Sequence, residues 1–450
     1  MYWKKVFQTL SNDINEEYFQ VLKELYELRG IKLGLDIIKG LLKELGNPER
    51  DYPIILVGGT NGKGSTVSTI SSILREYGFR VGVFTKPHLC RFTERIVVDN
   101  REIDKKEVVE YYWKIKQAGE NVSEKLGRFP TFFEASTAMA FEYFSEKKVD
   151  VAVVEVGMGG RLDATNACDP LVSVITNVSL EHTKYLGDTV EKIAFEKSGI
   201  IRPGRPTVSA CSGSALKVVE ERCRELGSEL TLVGRDVKYE VLRSDLNGLE
   251  MNISLKGRVF NNLGVSLRGR FQAENVSTAI ASVSKFLELM GRSDLEDNVL
   301  RRGLKKVYWP GRLEPVSMKP LVILDCAKDP AAAESLVSSL EEIVPGGKFT
   351  TIVSISSDKD YIRILTSLAK ITDRFVLTRH GVMGRALPVE NMAEVLNGLN
   401  ARFDTEPTVK EAVKNTIASA NNNSKILITG SVFTVGEARP LWSGEFYDGF

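Results

Sequence analysis

The chain has 450 residues, of which 43% are hydrophobic and 26% are charged, a composition typical of a globular protein. Its formal net charge of +1 gives no electrostatic reason to expect binding to nucleic acid or to a membrane surface. Because a chain of this length exceeds what one compact core accommodates, we expect two or three domains.

No targeting segment or disulfide framework is indicated. The N-terminal sequence lacks the long apolar stretch of a secretion signal, and no run of about 18 apolar residues occurs that could span a membrane. The five cysteines form no C-x-x-C pair and match no zinc-site spacing; they are Cys90, Cys168, Cys211, Cys223 and Cys326. We therefore expect reduced thiols in a cytoplasmic protein.

Residues 15–29 and 33–45 predict two helices, and a phosphate-binding pattern follows them. Residues 54–65 read I-I-L-V-G-G-T-N-G-K-G-S, which predicts a short buried strand and a glycine-rich turn. Residues 66–76 place apolar side chains on one helix face. A strand, a glycine loop and a helix start bind phosphate because backbone N–H groups and the helix N-terminus converge on the anion.

The residues of this loop suit a nucleotide. Lys63 is spaced to meet the β- and γ-phosphates, and a hydroxyl near the helix start would meet a divalent ion. The literal G-x-x-x-x-G-K-[ST] pattern is not met, because Val57 occupies the first glycine position and Gly64 separates Lys63 from Ser65. An ordinary glycine-rich strand-to-helix turn is the alternative.

The chain then alternates strands and helices, which predicts a parallel sheet. Strands are predicted at 79–85, 151–156 and 171–177, and a hairpin at 95–103. Helices are predicted at 105–117, 131–145 and 189–198, with a polar loop at 118–130. Residues 237–267 read as strands with short turns, and 273–290 as a long helix.

A second strand and helix series begins after a candidate linker at 309–311, where proline and glycine are adjacent. Its strands are predicted at 321–325, 350–355, 374–378 and 425–429. The fold class is therefore α/β: a P-loop-type parallel-sheet domain over 1–308, then a smaller Rossmann-like domain over 312–450. We expect the ligand site in the cleft between them.

Three polar residues are candidates for metal or phosphate chemistry. Glu155 ends an apolar strand, so its burial calls for a metal or a cationic partner, with a simple salt bridge as the alternative. His182 follows the next strand and suits a metal, although a lone histidine is often structural. Lys197 lies late in a helix, where a solvated lysine favourable to the helix dipole is the simpler interpretation.

Nine motifs occur in an order that resembles the folylpolyglutamate synthase/dihydrofolate synthase branch of the Mur ligase superfamily. They are G-T-N-G-K-G-S (59–65), P-H-L…E-R-I (87–96), T-F-F-E (131–134), E-V-G-M-G-G-R-L-D-A-T-N (155–166), E-H-T-x-x-L-G-D-T (181–189), I-A-F-E-K-S-G-I (193–200), F-Q-A-E-N (271–275), W-P-G-R-L-E (309–314) and T-G-S-V-F-T-V-G (429–436). The resemblance runs from about residue 40 to residue 439.

The resemblance implies an ATP-dependent ligase that joins glutamate to a folate or related pterin carboxylate through an acyl phosphate. It implies ATP and two magnesium ions as cofactors, with metal ligands Ser65, Glu155, His182 and Lys197. Lys197 would carry a carbamate, and fifteen residues separate it from His182, as in the family. The catalytic set would be Lys63, Glu155, His182 and Lys197.

The nucleotide-binding set implied by the resemblance comprises Gly59, Thr60, Asn61, Gly62, Gly64, Ser65, Asn275, Arg312, Asp325 and Lys328. Asp325 would contact the ribose. Two positions depart from the family pattern. Lys86 stands where the family usually has a serine that helps to ligate the first magnesium, and D-C-A-K-D-P replaces D-G-A-H-N-P, so Lys328 and Asp329 stand for histidine and asparagine.

Other interpretations remain open at this point. The same chemistry on a non-folate small carboxylate is one, and a nucleotide-binding paralogue without turnover is another. A small-molecule kinase would leave the second α/β domain unexplained. Partners are expected to be small molecules only, with no nucleic acid or membrane, and the protein is expected to be a monomer.

Overall fold

The computed structural model describes residues 2–28, 30–292, 295–382 and 384–449, with side chains from residue 14 onward in these ranges. Its first sheet has eight strands in the order β4-β3-β2-β5-β1-β6-β7-β8. The strands are β1 (Ile54–Gly58), β2 (Val81–Phe84), β3 (Ile96–Val98), β4 (Arg101–Glu102), β5 (Val151–Glu155), β6 (Val172–Ile175), β7 (Thr207–Ser209) and β8 (Leu230–Leu232). All neighbours pair in parallel except at β3 and β4, which form an antiparallel edge.

Helices cover both faces of this sheet, which explains why its central strands are apolar throughout. Along β1, Ile54 and Leu56 join the core on one face, while Ile55 and Val57 join the core on the other. The first face carries α1 (Tyr2–Glu27), α2 (Asp36–Glu44), α4 (Lys105–Leu126), α5 (Phe132–Glu146), α7 (Val190–Ser198) and α8 (Gly213–Leu226), and the short α6 (Thr183–Leu186) precedes α7.

The second face carries helices and a small antiparallel sheet. The helices are α3 (Lys63–Glu76), α9 (Gln272–Leu289) and α10 (Asp297–Lys306). The sheet orders its strands β11-β10-β9, over β9 (Val237–Asp245), β10 (Gly248–Leu255) and β11 (Arg258–Val265). Alternate residues of β10 are buried against α9, as expected for a sheet with one wet face.

The second α/β domain is built on a six-stranded sheet in the order β12-β13-β17-β14-β15-β16. Its strands are β12 (Glu314–Met318), β13 (Leu321–Leu324), β14 (Phe349–Val353), β15 (Thr372–Leu377), β16 (Arg402–Thr405) and β17 (Lys425–Thr429). Only β12 is antiparallel among these described strands. The helices are α11 (Pro330–Ile343), α12 (Tyr361–Ala369), α13 (Val389–Gly398), α14 (Val409–Ala418), α15 (Val432–Ala438) and α16 (Pro440–Ser443).

The mixed α/β fold predicted from the sequence is confirmed, but one predicted loop is wrong. Residues 118–130 were expected to be irregular, whereas α4 continues through Leu126 and ends at Gly127, which has a left-handed φ of 77°. Ala118 and Val122 continue the buried stripe of Ile115 at helical spacing, and this packing outweighs the polar composition of the segment. The first helix, predicted at 15–29, begins thirteen residues earlier, at Tyr2. Other predicted helix and strand ends shift by a few residues, and Arg29 lies outside the described residues.

The sequence also predicts reduced cysteines and no membrane-spanning segment. All five cysteines are buried and unbridged, and burial raises the pKa of the Cys168 thiol to about 12. Among the described residues, no helix is both long and apolar enough to cross a membrane.

Candidate active site

The phosphate loop joins β1 to α3 at the carboxyl edge of the first sheet, and packing as well as backbone conformation requires its glycines. A Cβ on Gly59, whose φ is 134°, would lie 1.9 Å from Thr176 Oγ1. A Cβ on Gly62 would lie 2.1 Å from Asn275 Oδ1, and one on Gly64 would lie 2.3 Å from a Trp309 ring carbon. Side chains from three other segments therefore touch the loop.

The end of β6 anchors the first half of this loop. The Asn177 main chain accepts a bond from Thr60 N at 2.8 Å, and its side-chain Oδ1 accepts one from Asn61 N at 2.9 Å. Thr176 Oγ1 donates to Asn61 O at 2.6 Å. Asn177 thus occupies the N–H groups of Thr60 and Asn61, and contact of these two residues with a nucleotide stays a prediction.

The second half of the loop is open. Among the described residues, none accepts a hydrogen bond from the N–H groups of Gly62, Lys63, Gly64 or Ser65. These are the first N–H groups of α3, which lack helical acceptors and carry the positive end of the helix dipole. Ser65 is 4% exposed, and its hydroxyl has no partner within the described part of the chain. The four groups form an anion-binding turn.

Lys63 folds back over this turn. Its Nζ donates to Gly59 O and to Thr60 O, both at 2.8 Å. An ammonium has three donors, so one remains for a ligand. The two carbonyl bonds hold the charge beside the open N–H groups.

Glu155 ends β5 directly beside Val57 of β1, as the sequence predicted, and it is 4% exposed. Its Oε2 accepts a bond from Lys86 N at 3.3 Å. No lysine, arginine or histidine nitrogen in the described ranges lies within 4.0 Å of its carboxylate. The simple salt bridge considered from the sequence is therefore absent from the described structure.

Lys197 is buried, with 1% of its surface exposed, so the solvated position considered from the sequence is wrong. Its Nζ donates to Glu181 Oε1 at 2.6 Å and to Gly59 O at 2.7 Å. Burial lowers the pKa of Lys197 to about 8, against the opposing charge of Glu181. Burial raises the pKa of Glu181, but the charges of Lys63 and Lys197 outweigh burial and hold the pKa well below its usual range.

Glu181 is the residue whose role sequence reasoning missed. It stands beside His182 after β6, and nothing in its spacing indicates a partner sixteen residues later on α7. His182 itself has a left-handed φ of 47° and is exposed at the start of α6. Partial burial and the charge of Lys86 lower the pKa of His182 to about 4, although the charge of Glu181 opposes them. The lowered pKa keeps the imidazole neutral.

The second domain contributes Arg312 and Lys328, which line the same cavity as the phosphate loop. Asp325 does not point into this cavity, because its two oxygens accept bonds from Leu313 N at 2.9 Å and Ala327 N at 2.8 Å. Burial raises the pKa of Asp325. Asn275 is also turned away, with its amide donating to Gln272 and its oxygen against Gly62. Neither Asp325 nor Asn275 lines the cavity, and both contact the segments that do.

The cavity has a volume of about 340 Å³ and lies between the domains. Its phosphate end is lined by the open turn, Lys63, Lys86, Glu155, Arg312 and Lys328. Polar side chains such as Tyr308 and Arg439 also line the cavity, and Trp309 of the linker segment lies against Gly64 of the open turn. The arrangement suits a polyanion at one end and a second substrate beside it.

The donor set fits magnesium in part. Ser65 and Glu155 line the cavity with oxygen atoms, which are the ligands that magnesium prefers. Within the described ranges, no group of three histidine, cysteine or carboxylate side chains is arranged to hold a metal. At the second predicted magnesium site, Lys197 is a cation that forms an ion pair with Glu181, so it could ligate a metal only after losing its charge.

The fold and the site define a Mur-type ligase, and comparison with known proteins agrees. The Mur ligase middle domain matches residues 57–283, and the Mur ligase glutamate ligase domain matches residues 311–432. The chain belongs to the folylpolyglutamate synthase/dihydrofolate synthase family. The family resemblance inferred from the nine motifs is thereby confirmed.

Several relatives match over nearly their whole length. The dihydrofolate synthase/folylpolyglutamate synthase of Mycobacterium tuberculosis is 34% identical over 91% of this chain and 90% of its own. That of Bacillus subtilis is 33% identical over 91% and 95%. A probable bifunctional folylpolyglutamate synthase/dihydropteroate synthase of Haloferax volcanii is 34% identical, and the chain spans about half of that protein, 51% of its length.

Solved structures show the same fold. Mycobacterium tuberculosis folylpolyglutamate synthase complexed with ADP superposes with a TM-score of 0.88 at 32% identity, covering 96% of this chain and 99% of that one. The Thermotoga maritima folylpolyglutamate synthase superposes with a TM-score of 0.85 at 34% identity, with the same coverage.

Proposed function

We propose that this protein is an ATP-dependent, ADP-forming ligase that joins glutamate to the carboxylate of a folate or related pterin compound. One observation carries the proposal: the four open N–H groups of the turn at Gly62–Ser65 face a cavity that Arg312 and Lys328 of the second domain complete. A nucleotide bound there has its phosphates beside an interdomain space for the acceptor. The names of the relatives supply the substrate class.

The mechanism needs positioning and charge more than a nucleophilic side chain. The acceptor carboxylate oxygen attacks the γ-phosphorus of ATP, and ADP leaves with the bonding electrons. The amine nitrogen of glutamate then attacks the acyl carbon, and phosphate leaves while the amine loses its proton. Lys63 and the open N–H groups stabilise charge on the transferred phosphoryl group in both steps.

We propose that ATP binds with magnesium and that Ser65 and Glu155 are oxygen ligands for this ion. Bound there, magnesium would neutralise phosphate charge and orient the terminal phosphoryl group. Lys197 and His182 are proposed for a second ion. The Lys197 ammonium would first lose a proton, and the neutral amine would then combine with carbon dioxide, forming an N–C bond and releasing a second proton, so that an anion replaces the cation beside Glu181.

The remaining assignments are also proposals. Asn275 and Asp325 are proposed to contact the nucleotide. Asp325 would reach the ribose once the main chain at Leu313, whose N–H it now binds, has shifted. The two domains are proposed to divide as 1–308 and 312–450, joined at 309–311. We propose a cytoplasmic monomer whose partners are ATP, L-glutamate and the acceptor.

An acceptor panel tests the substrate class. Purified full-length protein is incubated with ATP, glutamate and either dihydropteroate, a reduced folate, a small non-folate carboxylate or no acceptor, and ADP release is measured with product mass. A folate or pteroate product supports the proposal and separates dihydrofolate synthase from polyglutamate synthase activity. Turnover only with the non-folate carboxylate favours the alternative ligase, and ATP binding without turnover favours a nucleotide-binding paralogue.

A further inference from the structure

Lys86 presents an ammonium group to the cavity without a protein partner. It lies two residues beyond β2, is half-buried, and lines the cavity together with Lys63, Glu155 and Lys328. In the part of the chain that the structure describes, no carboxylate oxygen lies within 4.0 Å of its Nζ and no atom accepts a hydrogen bond from it. Its main-chain N–H, by contrast, is used to hold Glu155 at 3.3 Å.

The other carboxylates along the cavity are already occupied, so none is available to neutralise Lys86. Glu94 accepts three main-chain N–H bonds, from Leu89, Cys90 and Arg91. Glu102 binds the Arg91 guanidinium at 2.7 Å, and Glu445 pairs with Arg91 and Arg439. The phosphate end of the cavity therefore holds more positive than negative charge.

This excess of charge is unfavourable in the free protein. Burial lowers the pKa of Lys86 to about 8, and the neighbouring charges of Lys63 and Lys328 act in the same direction while Glu155 opposes them. At neutral pH the side chain is still mostly protonated. A cluster of partly buried cations without anionic partners is expected where an anionic ligand completes the site.

A divalent ion beside Glu155 would have to share the site with the Lys86 ammonium. The carboxylate of Glu155 is held by the Lys86 main chain, so the lysine side chain begins within a few bonds of the same carboxylate. Within the described residues, Glu155 belongs to no group of three carboxylate, histidine or cysteine side chains that could hold a metal ion. The geometry thus supplies a fixed positive charge at this point and few metal ligands.

We propose that Lys86 binds the terminal phosphates of ATP directly, so that this protein holds the nucleotide without requiring a divalent ion at Glu155. This inference rests on the proposed function in taking ATP as the ligand. It concerns binding, so magnesium can still be needed for turnover. Lys63 and the open N–H groups of the phosphate loop contact the same phosphates from the other side.

Calorimetric titration of the full-length protein tests the proposal with two ligands: ATP in EDTA, and ATP with excess magnesium. For the unaltered protein we expect the two dissociation constants to differ by less than about tenfold. Lys86→Gln removes the charge, keeps a polar end group and shortens the side chain by about one bond. We expect it to weaken metal-free ATP binding by about ten- to a hundredfold, as for loss of a charge-assisted hydrogen bond, and to weaken MgATP binding much less.

Two further variants are controls. Lys86→Arg retains the charge and is expected to retain most of the metal-free affinity. Lys410→Gln removes an exposed lysine on α14 that does not line the cavity, and is expected to change neither constant. A thermal unfolding scan of each variant shows whether the fold is intact, and the ratio of the two dissociation constants of the unaltered protein decides the inference if Lys86→Gln does not fold.

The outcomes separate this inference from the proposed function. Equal loss of ATP and MgATP affinity in Lys86→Gln, or no loss of either, overturns the inference, as does metal-free binding by the unaltered protein more than about a hundredfold weaker than MgATP binding. Failure of the unaltered protein to bind ATP in any form contradicts the proposed function instead.

Discussion

Lys197 Nζ lies 2.6 Å from Glu181 Oε1 and 2.7 Å from Gly59 O, so a residue of α7 holds the phosphate loop and the end of β6 together. The loop carbonyl of Gly59 also accepts the bond from Lys63. One carbonyl oxygen therefore couples the two lysines. A change in the charge of Lys197 therefore directly alters the hydrogen bonding of the phosphate-binding turn.

Lys63→Ala is expected to lower the turnover of the ligase reaction by at least about a hundredfold while leaving the fold intact. Among the described residues, the Lys63 ammonium donates hydrogen bonds only to loop carbonyls, so its loss removes transition-state stabilisation rather than core packing. Steady-state ADP release and a thermal unfolding scan measure the two effects. Near-native turnover in this variant would show that the phosphate-loop assignment is wrong.

Lys197→Ala is expected to lose activity, and a short carboxylate such as acetate is expected to restore part of the activity of the variant. A short carboxylate occupies the space of the lost carbamate and supplies the oxygen atoms. Lys192→Ala on the same helix is the matched control, since Lys192 is exposed and pairs with Asp188. An active Lys197→Ala variant without added carboxylate would exclude Lys197 from the site.

The pH dependence of activation follows from the same lysine. Carbamate formation requires the neutral amine, and burial lowers the pKa of Lys197 to about 8. The neutral fraction therefore rises from about a tenth at one unit below this pKa to about nine tenths at one unit above it. At limiting bicarbonate, the rate of activation should increase through this range. A flat profile measured by preincubation assays would contradict the carbamate.

Gly64→Ala is expected to weaken ATP binding by about tenfold or more. The added Cβ would lie 2.3 Å from the Trp309 ring, so the loop or the tryptophan must move. Gly398→Ala is the control, because nothing lies within 4 Å of a Cβ at that helix end. Isothermal titration with MgATP compares the two, and equal affinities would mean that the contact with Trp309 is readily relieved.

Lys328→Ala is expected to raise the KM for ATP by about tenfold, as for loss of one charge-assisted contact. Lys328→His should behave like alanine at pH 8 and at pH 6, because burial and the surrounding cations Lys63 and Arg312 favour the neutral form of a titratable group at this position. Kinetics at both pH values measure this, with Lys410→Ala as the control. An unchanged KM in both variants would place Lys328 outside the nucleotide site.

Sequence reasoning located the ends of individual strands more accurately than the contacts that side chains make at those ends. The phosphate loop and Glu155 each lie at the end of an apolar strand, and parallel strands bring their carboxyl ends to one edge, so their shared position on the cavity could be predicted. His182 follows another strand of the same sheet but does not line the cavity. The pairing of Lys197 with Glu181 could not, because it depends on how α7 packs against the loop. The segment 118–126 was mistaken for a loop because its buried side chains are few and separated by charges.

By itself, the sequence determined the α/β class, the order of the elements and the family, because hydrophobic periodicity and motif order are properties of the chain. Only the tertiary structure decided which donors remain free for a ligand. Asn177 occupies the N–H groups of Thr60 and Asn61 and leaves those from Gly62 to Ser65 open. It also showed that no described residue pairs with the Lys86 ammonium. The sequence could not show this, because pairing of buried groups depends on distances between segments far apart in sequence.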